Sequence, residues 1–315
     1  MTARVRPPRR VAQQQGEAVG PFALVVDLGG TKIAAARVDT AGKITHHRIA
    51  PTPAAGGEAV VDAVIDILHR LPQQGVCALA VDVPGLAYID GSVWAPNLSG
   101  WNRMPLGAKL SAHFELPALV ESDRNAFVTG EAWQGAARNC RDVVFLAIGT
   151  GIGAGIISGG RLLRGSGELA GCLGWMATSS RFLPQYKEIG CLESHLAGPA
   201  IAREASRIRK TATTTRELIQ LARQGDPAAK KVIAHTGEYL GLALANLVSI
   251  LNPEMIVVGG GVATAGNLLL APARETMRQW AQPLASKQVR VVRSRLGARA
   301  ALLGMAKMAF DLAAR

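Results

Sequence analysis

Apolar residues along this chain fall into two kinds of segment: short continuous runs that stop at glycine, and longer stretches in which they recur at helical spacing. From Pro21 an apolar run, Phe22 to Asp27, ends at Gly29-Gly30 and resumes as Ile33 to Val38, which predicts a β-hairpin with a glycine turn. A third strand is predicted around Ile44 to Ile49, after the Ala41-Gly42-Lys43 turn. Glu58 to Leu71 follows as a helix ended by Pro72, and Val76 to Val83 reads as a buried strand stopped by Pro84-Gly85. The second half repeats the theme with strand Val143 to Ile148, glycine turn Gly149 to Gly153 and strand Ala154 to Ile157, so the two units lie about 120 residues apart. Mostly helical segments lead from there to a strand over Met255 to Val258. A long helix is predicted over Pro227 to Leu251, with Asp226 as N-cap, proline in its first turn and Asn252-Pro253 at its end. Its Gly241, Ala243 and Ala245 permit close packing. The last helix, Ala298 to Ala314, is expected to return over the first lobe. This order implies an α/β chain with two mixed sheets and a cleft between them.

Length supports two lobes, because 315 residues exceed what one hydrophobic core usually serves. The expected division is a tail over 1–20, a small lobe formed by 21–124 with 298–315, and a large lobe over 125–297. A 49% hydrophobic share with 18% charged residues describes an ordinary folded protein. Four cysteines, Cys77, Cys140, Cys172 and Cys191, form no CxxC pair and are expected to be thiols in a reducing cytoplasm. The net charge of +12 invites a nucleic-acid reading, but the basic residues are dispersed apart from Arg4, Arg6, Arg9 and Arg10 in a Pro/Gln-rich stretch, so no nucleic-acid partner is expected. Neither a signal peptide nor a membrane span is expected, since no long apolar run occurs.

The glycine turns carry the candidate chemistry. Asp27-Leu-Gly-Gly-Thr-Lys32 places a carboxylate at a strand end, then Gly29 and Gly30, whose backbone N–H groups can approach an anion, then Thr31 as a hydroxyl donor. Such a turn can hold phosphate oxygens while Asp27 faces a magnesium ion or its waters, although alone it is also an ordinary hairpin turn. Gly149, Thr150, Gly151 and Gly153 repeat that chemistry, and three glycines around one threonine favour stability poorly unless something approaches the backbone. Gly259-Gly260-Gly261 suits a flat nucleotide moiety at a helix start, or is a simple strand-to-helix turn. None of these is GxxxxGK[ST] or GxGxxG.

Together the two threonine-glycine loops, the Pro84-Gly85 turn, Ala95-Pro-Asn-Leu98 with Gly100-Trp101, Asp123-Arg-Asn-Ala126, Gly190-Cys-Leu-Glu193 and Asn252-Pro-Glu254 with Gly259 to Gly261 occur in one order. That order is similar to the ROK family (repressors, open reading frames, sugar kinases), within the actin-like, hexokinase-like ATPase fold of the ribonuclease H-like class. The resemblance covers about residues 22 to 310. It implies an ATP- and Mg2+-dependent sugar kinase, glucose being the family's commonest acceptor, with Asp27, Gly29, Gly30, Thr31, Lys32 and the later glycine loops around the nucleotide. It also implies Asp123 as catalytic base, with Gly85, Asn97 and Glu193 at the sugar. Asp123 would sit at a helix N-terminus, where the dipole favours the ionised form and the ordinary pKa of about 3.9 already leaves it charged at neutral pH. It could equally be only an N-cap. Trp101 could wall the sugar site or pack in the core.

Two departures from the family pattern stand out. Family kinases read Gly-Glu-Ile-Gly-His where this chain reads Gly171-Cys-Leu-Gly-Trp175, so two hydrogen-bonding groups to the sugar are replaced. Many members also carry CxCGxxGC around a structural zinc; here the corresponding positions are Pro184, Tyr186, Lys187 and Cys191, and a closed site needs four N/S ligands, so no zinc is expected. The acceptor is therefore open between plain glucose and a modified sugar such as an N-acetyl hexosamine. His195 and Glu168 are nearby compensators or helix-surface residues. A sugar-responsive regulator would need a DNA-binding helix pair ahead of residue 21, which a Pro/Gln-rich stretch does not supply. A binder that has lost catalysis is the other alternative, against which Asp27, Thr31, Asp123 and Thr150 weigh. Dimers are common in the resembling family, which leaves a homodimer open.

Overall fold

The computed structural model describes residues 20–315, so the expected tail falls almost entirely outside the described residues. The first sheet opens with a meander, β1 (Phe22–Leu28), β2 (Lys32–Asp39) and β3 (Ile44–Pro51), in which the β1–β2 hairpin pairs Leu28 with Ile33 across the glycine turn. Helix α1 (Gly57–His69) then crosses to β4 (Val76–Val83), parallel to β1. Three short strands, β5 (Leu86–Ala87), β6 (Val93–Trp94) and β7 (Asn102–Met104), make a small antiparallel sheet that the hydrophobic pattern did not reveal. Helix α2 (Leu106–Phe114) leads to β8 (Ala118–Ser122), which completes the order β3-β2-β1-β4-β8, and α3 (Asp123–Gln134) starts directly from it.

The second sheet repeats that order as β11-β10-β9-β12-β13. Its strands are β9 (Val143–Ile148), β10 (Ile152–Ser158) and β11 (Arg161–Leu162), again a meander, followed after a helical insertion by β12 (Met255–Gly259) and β13 (Arg290–Arg293), both parallel. The insertion comprises α4 (Tyr186–Ile189), α5 (Glu193–Leu196), α6 (Gly198–Arg209), α7 (Thr215–Arg223) and α8 (Pro227–Leu251). Asp226 caps α8 by accepting from the Ala229 N–H at 2.7 Å, and Asn252 ends it in the left-handed conformation, φ 44°, just before Pro253 removes the next donor. Helices α9 (Asn267–Trp280) and α10 (Pro283–Gln288) precede β13, and α11 (Arg299–Ala313) closes the chain.

Helices α3 and α11 lie between the sheets. One side of α11 buries Leu302, Met305 and Ala306 against Ala23, Val25, Ala78 and Ala80 of the first sheet, while α3 sets Val128 and Phe127 against Val143 and Phe145 of the second. The two helices also press on each other so closely that a Cβ at Gly130 would fall 2.0 Å from the Ala300 carbonyl oxygen, and one at Gly304 1.9 Å from that of Ala126. The outer face of the first sheet packs on α1 and α2, and that of the second on α5 to α9. Among the described residues no helix is long and apolar enough to cross a membrane.

Candidate active site

Both glycine hairpins open at the ends of their sheets, and each is held from behind. Gly29 donates to the Lys32 carbonyl at 2.9 Å, and Thr52 grips the loop by donating its hydroxyl to the Gly29 carbonyl at 2.7 Å and its N–H to that of Thr31 at 3.1 Å. Gly30 is left open, with nothing within 4 Å of where a Cβ would stand, and Thr31 and Lys32 are exposed beside it. In the second loop Gly149 donates to the Gly151 carbonyl at 3.0 Å and accepts from Gly198 at 2.8 Å. Gly149 and Thr150 border a cavity of about 620 Å³, whose other walls are Gly198 and Pro199 at the start of α6, Thr215, Arg216, Gln220 and Arg223 of α7, and Gly261 with Thr264. No motif marks these α6 and α7 residues, because their segments read as amphipathic helices that the core alone explains.

The remaining predicted glycines divide by environment. Gly153 lies under the start of α3, its Cβ position 3.7 Å from Arg124 Cδ, and a Cβ at Gly151 would stand 3.2 Å from Glu193 Oε2. A Cβ at Gly259 would meet the Phe145 ring at 2.3 Å. Gly260 has φ +86° and would meet the Ile148 carbonyl oxygen at 2.3 Å. Packing and backbone conformation therefore account for those two, and only Gly261 of the triplet opens on the cavity.

Strand order brings three aspartates to one sheet end. Asp27 and Asp82 are parallel partners on β1 and β4, Asp82 is the partner of Glu121 on β8, and Asp123 follows β8. Asp82 is fully buried with neither carboxylate oxygen hydrogen-bonded, and burial, then the charges of Asp27 and Asp123, hold its carboxyl well above the usual range. Burial also raises Asp27, opposed by Lys32. Asp123 begins α3 with Ser122 as N-cap, and one of its oxygens accepts from the Arg124 N–H at 2.6 Å. Burial lifts its carboxyl to about 6 against the pull of that N–H and of the Arg124 charge. Desolvation thus outweighs the helix dipole, although a carboxyl near 6 is still mostly ionised at neutral pH, as expected from the sequence. Asp82 escaped notice in the sequence because one polar residue inside Val76 to Val83 leaves the strand pattern intact.

On the acceptor side Asn97 is exposed between β6 and β7, and Gly85 admits no side chain, its Cβ position lying 2.2 Å from the Trp94 carbonyl oxygen. Trp101 is a core residue, 2% exposed, donating its indole N–H to the Gly57 carbonyl at 3.1 Å. Glu193 accepts from the Ile152 N–H at 2.7 Å and so braces the second glycine loop. Beside it runs the Leu173 to Trp175 turn, where a Cβ at Gly174 would stand 2.7 Å from Glu193 Oε2; Trp175 is 56% exposed and Cys172 half-buried. His195 is no free surface group: its ring stacks on Tyr239 at 4.2 Å and its Nε2 shares a hydrogen bond with the Tyr186 hydroxyl at 2.9 Å. Cys191 Sγ meets Thr178, and among the described residues no three His, Cys, Asp or Glu side chains are grouped to hold a metal. A second cavity, about 1340 Å³, is lined by Glu121 and Glu168 but by neither glycine loop and by none of Asp27, Asp82, Asp123, Asn97 and Glu193; β8, α2, the end of α3 and the end of α11 bound it.

Residues 23–311 match the family described as the ROK family. Over 312 residues the chain is 33% identical to the glucokinase of Streptomyces coelicolor, covering 90% of this chain and 96% of that one. Among solved structures, the ROK hexokinase from Thermus thermophilus superposes with a TM-score of 0.78 at 32% identity, covering 92% of this chain and 98% of that one. A ROK family glucokinase from Streptomyces griseus, solved in complex with glucose and AMPPNP, superposes at 0.77 with 31% identity, covering 92% and 99%.

Proposed function

The chain belongs to the ROK family, with its two-lobed, actin-like and hexokinase-like α/β fold, and from that premise we propose that it is an ATP-dependent sugar kinase that phosphorylates a hydroxyl of a hexose, glucose first. The observation that carries this reading is the paired construction of the two sheets: the same strand order in each, an open glycine-threonine hairpin at the same place in each, and Asp123 starting a helix from the first. Backbone N–H groups at Gly30-Thr31 and at Thr150 hold the phosphates, Gly149 being spent on shaping its own loop, and the 620 Å³ cavity between α6, α7 and Gly261 takes the nucleoside. Asp27 suits a hydrated magnesium ion, a hard cation usually bound through few carboxylates. Bound Mg2+ supplies neutralisation of charge on the transferring phosphoryl group. Asp123 accepts the proton of the attacking hydroxyl. Its pKa of about 6 makes it a stronger base than an ordinary carboxylate while leaving it mostly ionised at neutral pH.

Gly85, Asn97 and Glu193 are assigned to the sugar. Trp175 favours a second acceptor class, since its 56% exposed ring replaces a polar group with an apolar wall suited to an N-acetyl hexosamine. A structural zinc does not fit the donor set: Pro184 and Lys187 offer no neutral or anionic nitrogen or sulfur, and the Tyr186 hydroxyl is engaged with His195. A cytoplasmic location accords with the four free thiols.

Coupled measurement of ADP release against a panel of hexoses, hexosamines and N-acetyl hexosamines tests the assignment. Asp123→Ala is expected to lower kcat by about a hundredfold or more while nucleotide still binds; an unchanged rate excludes Asp123 as base. ATP binding with no turnover on any acceptor would leave a binding protein in place of a kinase.

A further inference from the structure

Glu121 precedes Asp123 by two residues and is 3% exposed, yet every lone-pair direction of its carboxylate is used. Oε1 accepts from the Ser122 N–H and from Asn125 Nδ2, both at 2.9 Å. Oε2 accepts from both arms of one guanidinium, Arg164 Nε at 3.1 Å and Nη2 at 2.6 Å. Arg164 follows β11 and so belongs to the second sheet's side, whereas Glu121 ends the edge strand of the first. A second link runs alongside, from Arg124 Nη2 to the Glu168 carbonyl at 2.7 Å. Side chains on both sides of Asp123, those of Glu121 and Arg124, are thus tied to one short segment, 164–168. That segment continues towards the Trp175 turn, and the Ala170 N–H returns to the Arg164 carbonyl at 2.9 Å.

Stability alone is a poor reason for this pair. Glu121 is buried but the Arg164 side chain is 41% exposed, so water screens the attraction and limits what it adds to stability; what an Arg–carboxylate fork supplies instead is fixed geometry. Phosphoryl transfer depends chiefly on positioning, so a residue that aims the base matters to the rate even though it touches no reactant. We infer that Glu121 and Arg164 form a latch between the two sheets that sets the aim of Asp123, which makes both of them positioning residues for the transfer. The inference rests on the kinase reading above.

The test uses four variants of the full chain, with melting temperature, kcat and both KM values measured for each. Arg164→Met leaves the buried Glu121 carboxylate without its cation, whereas Glu121→Gln leaves a partly exposed Arg164 that still has the Glu168 carboxylate at 3.5 Å, so both are expected to lower the melting temperature, the first by more. The double variant E121Q/R164M removes both charges, keeps acceptors for Ser122 and Asn125, and is expected to recover most of that loss. Its kcat should nevertheless stay about tenfold or more below wild type, with each KM within about threefold. Arg164→Lys, which retains the charge without the fork, should fall between. A double variant or a lysine variant with kcat within twofold of wild type would overturn the latch, as would kcat following melting temperature across the series. A wild-type chain that transfers nothing fails the kinase reading instead, and the non-additive melting temperatures then still report whether the pair joins the sheets.

Discussion

Asp123 and Asp82 stand at adjacent strand ends, and burial moves both carboxyls in the same direction with different consequences. For Asp123 the consequence is kinetic. With a carboxyl near 6, kcat/KM should fall about tenfold per pH unit below that value and level off above it, because only the ionised form accepts a proton. A limb centred near 4 in the measured pH profile would mean that burial does not govern this group. For Asp82 the consequence is thermodynamic. A carboxyl whose folded pKa is raised contributes its stability below the unfolded value of 3.8 and loses it as pH rises through the folded value. Asp82→Asn removes that loss, so its melting temperature relative to wild type should climb as pH rises above 3.8 and the two should converge below it. A constant difference across that range would contradict the buried, unpartnered placement of Asp82.

Glycine does two unlike jobs in these elements, and substitution separates them. Gly304→Ala drives a methyl group to within 1.9 Å of the Ala126 carbonyl oxygen on α3, so α11 must shift and stability should drop by about 1–3 kcal/mol or more in urea titration. Gly30→Ala meets nothing within 4 Å and should change stability by less than about 0.5 kcal/mol, while raising KM for ATP by about tenfold because the methyl group stands where a phosphate approaches. Equal effects on stability would remove the distinction. This contrast also marks how far the sequence could be read. Val76–Val83 and Pro227–Leu251 were legible to the residue because their boundaries are written locally, in Pro84-Gly85, Asp226 and Asn252-Pro253. The glycine triplet at 259–261 was legible as a turn, but which glycine faces a ligand depends on Phe145 and Ile148, more than a hundred positions away. The two-residue strands β5, β6 and β11 carry too few positions to show alternation. Thr215, Arg216 and Arg223 read as the polar side of a helix, and their meeting with Gly149 and Gly261 is decided by tertiary packing alone.

At the scale of the whole molecule, the arrangement of α3 and α11 sets how the two halves depend on each other. Helix α11 is the last element of the chain, yet it covers the inner face of the sheet formed first; α3 covers the inner face of the other sheet, reaches β4 and β8 of the first at its start, and packs along α11. Neither sheet can lose its helix without exposing apolar surface on both sides of the α3–α11 contact. Chains of this length commonly unfold in stages. Here the shared contact should couple the halves, so calorimetry is expected to give one transition whose van't Hoff and calorimetric enthalpies agree. Gly130→Leu tests the cause. Its side chain cannot be accommodated 2.0 Å from the Ala300 carbonyl oxygen, so the helices must separate. The single transition should then split in two, the lower one belonging to the half that contains β1, β4 and α11. A nucleotide analogue touches hairpins from both sheets, so in wild type it should raise the one melting temperature as a unit. In the Leu variant it should raise chiefly the transition of the half that holds the 620 Å³ cavity. Two transitions already present in wild type would show that the contact between α3 and α11 does not couple the sheets.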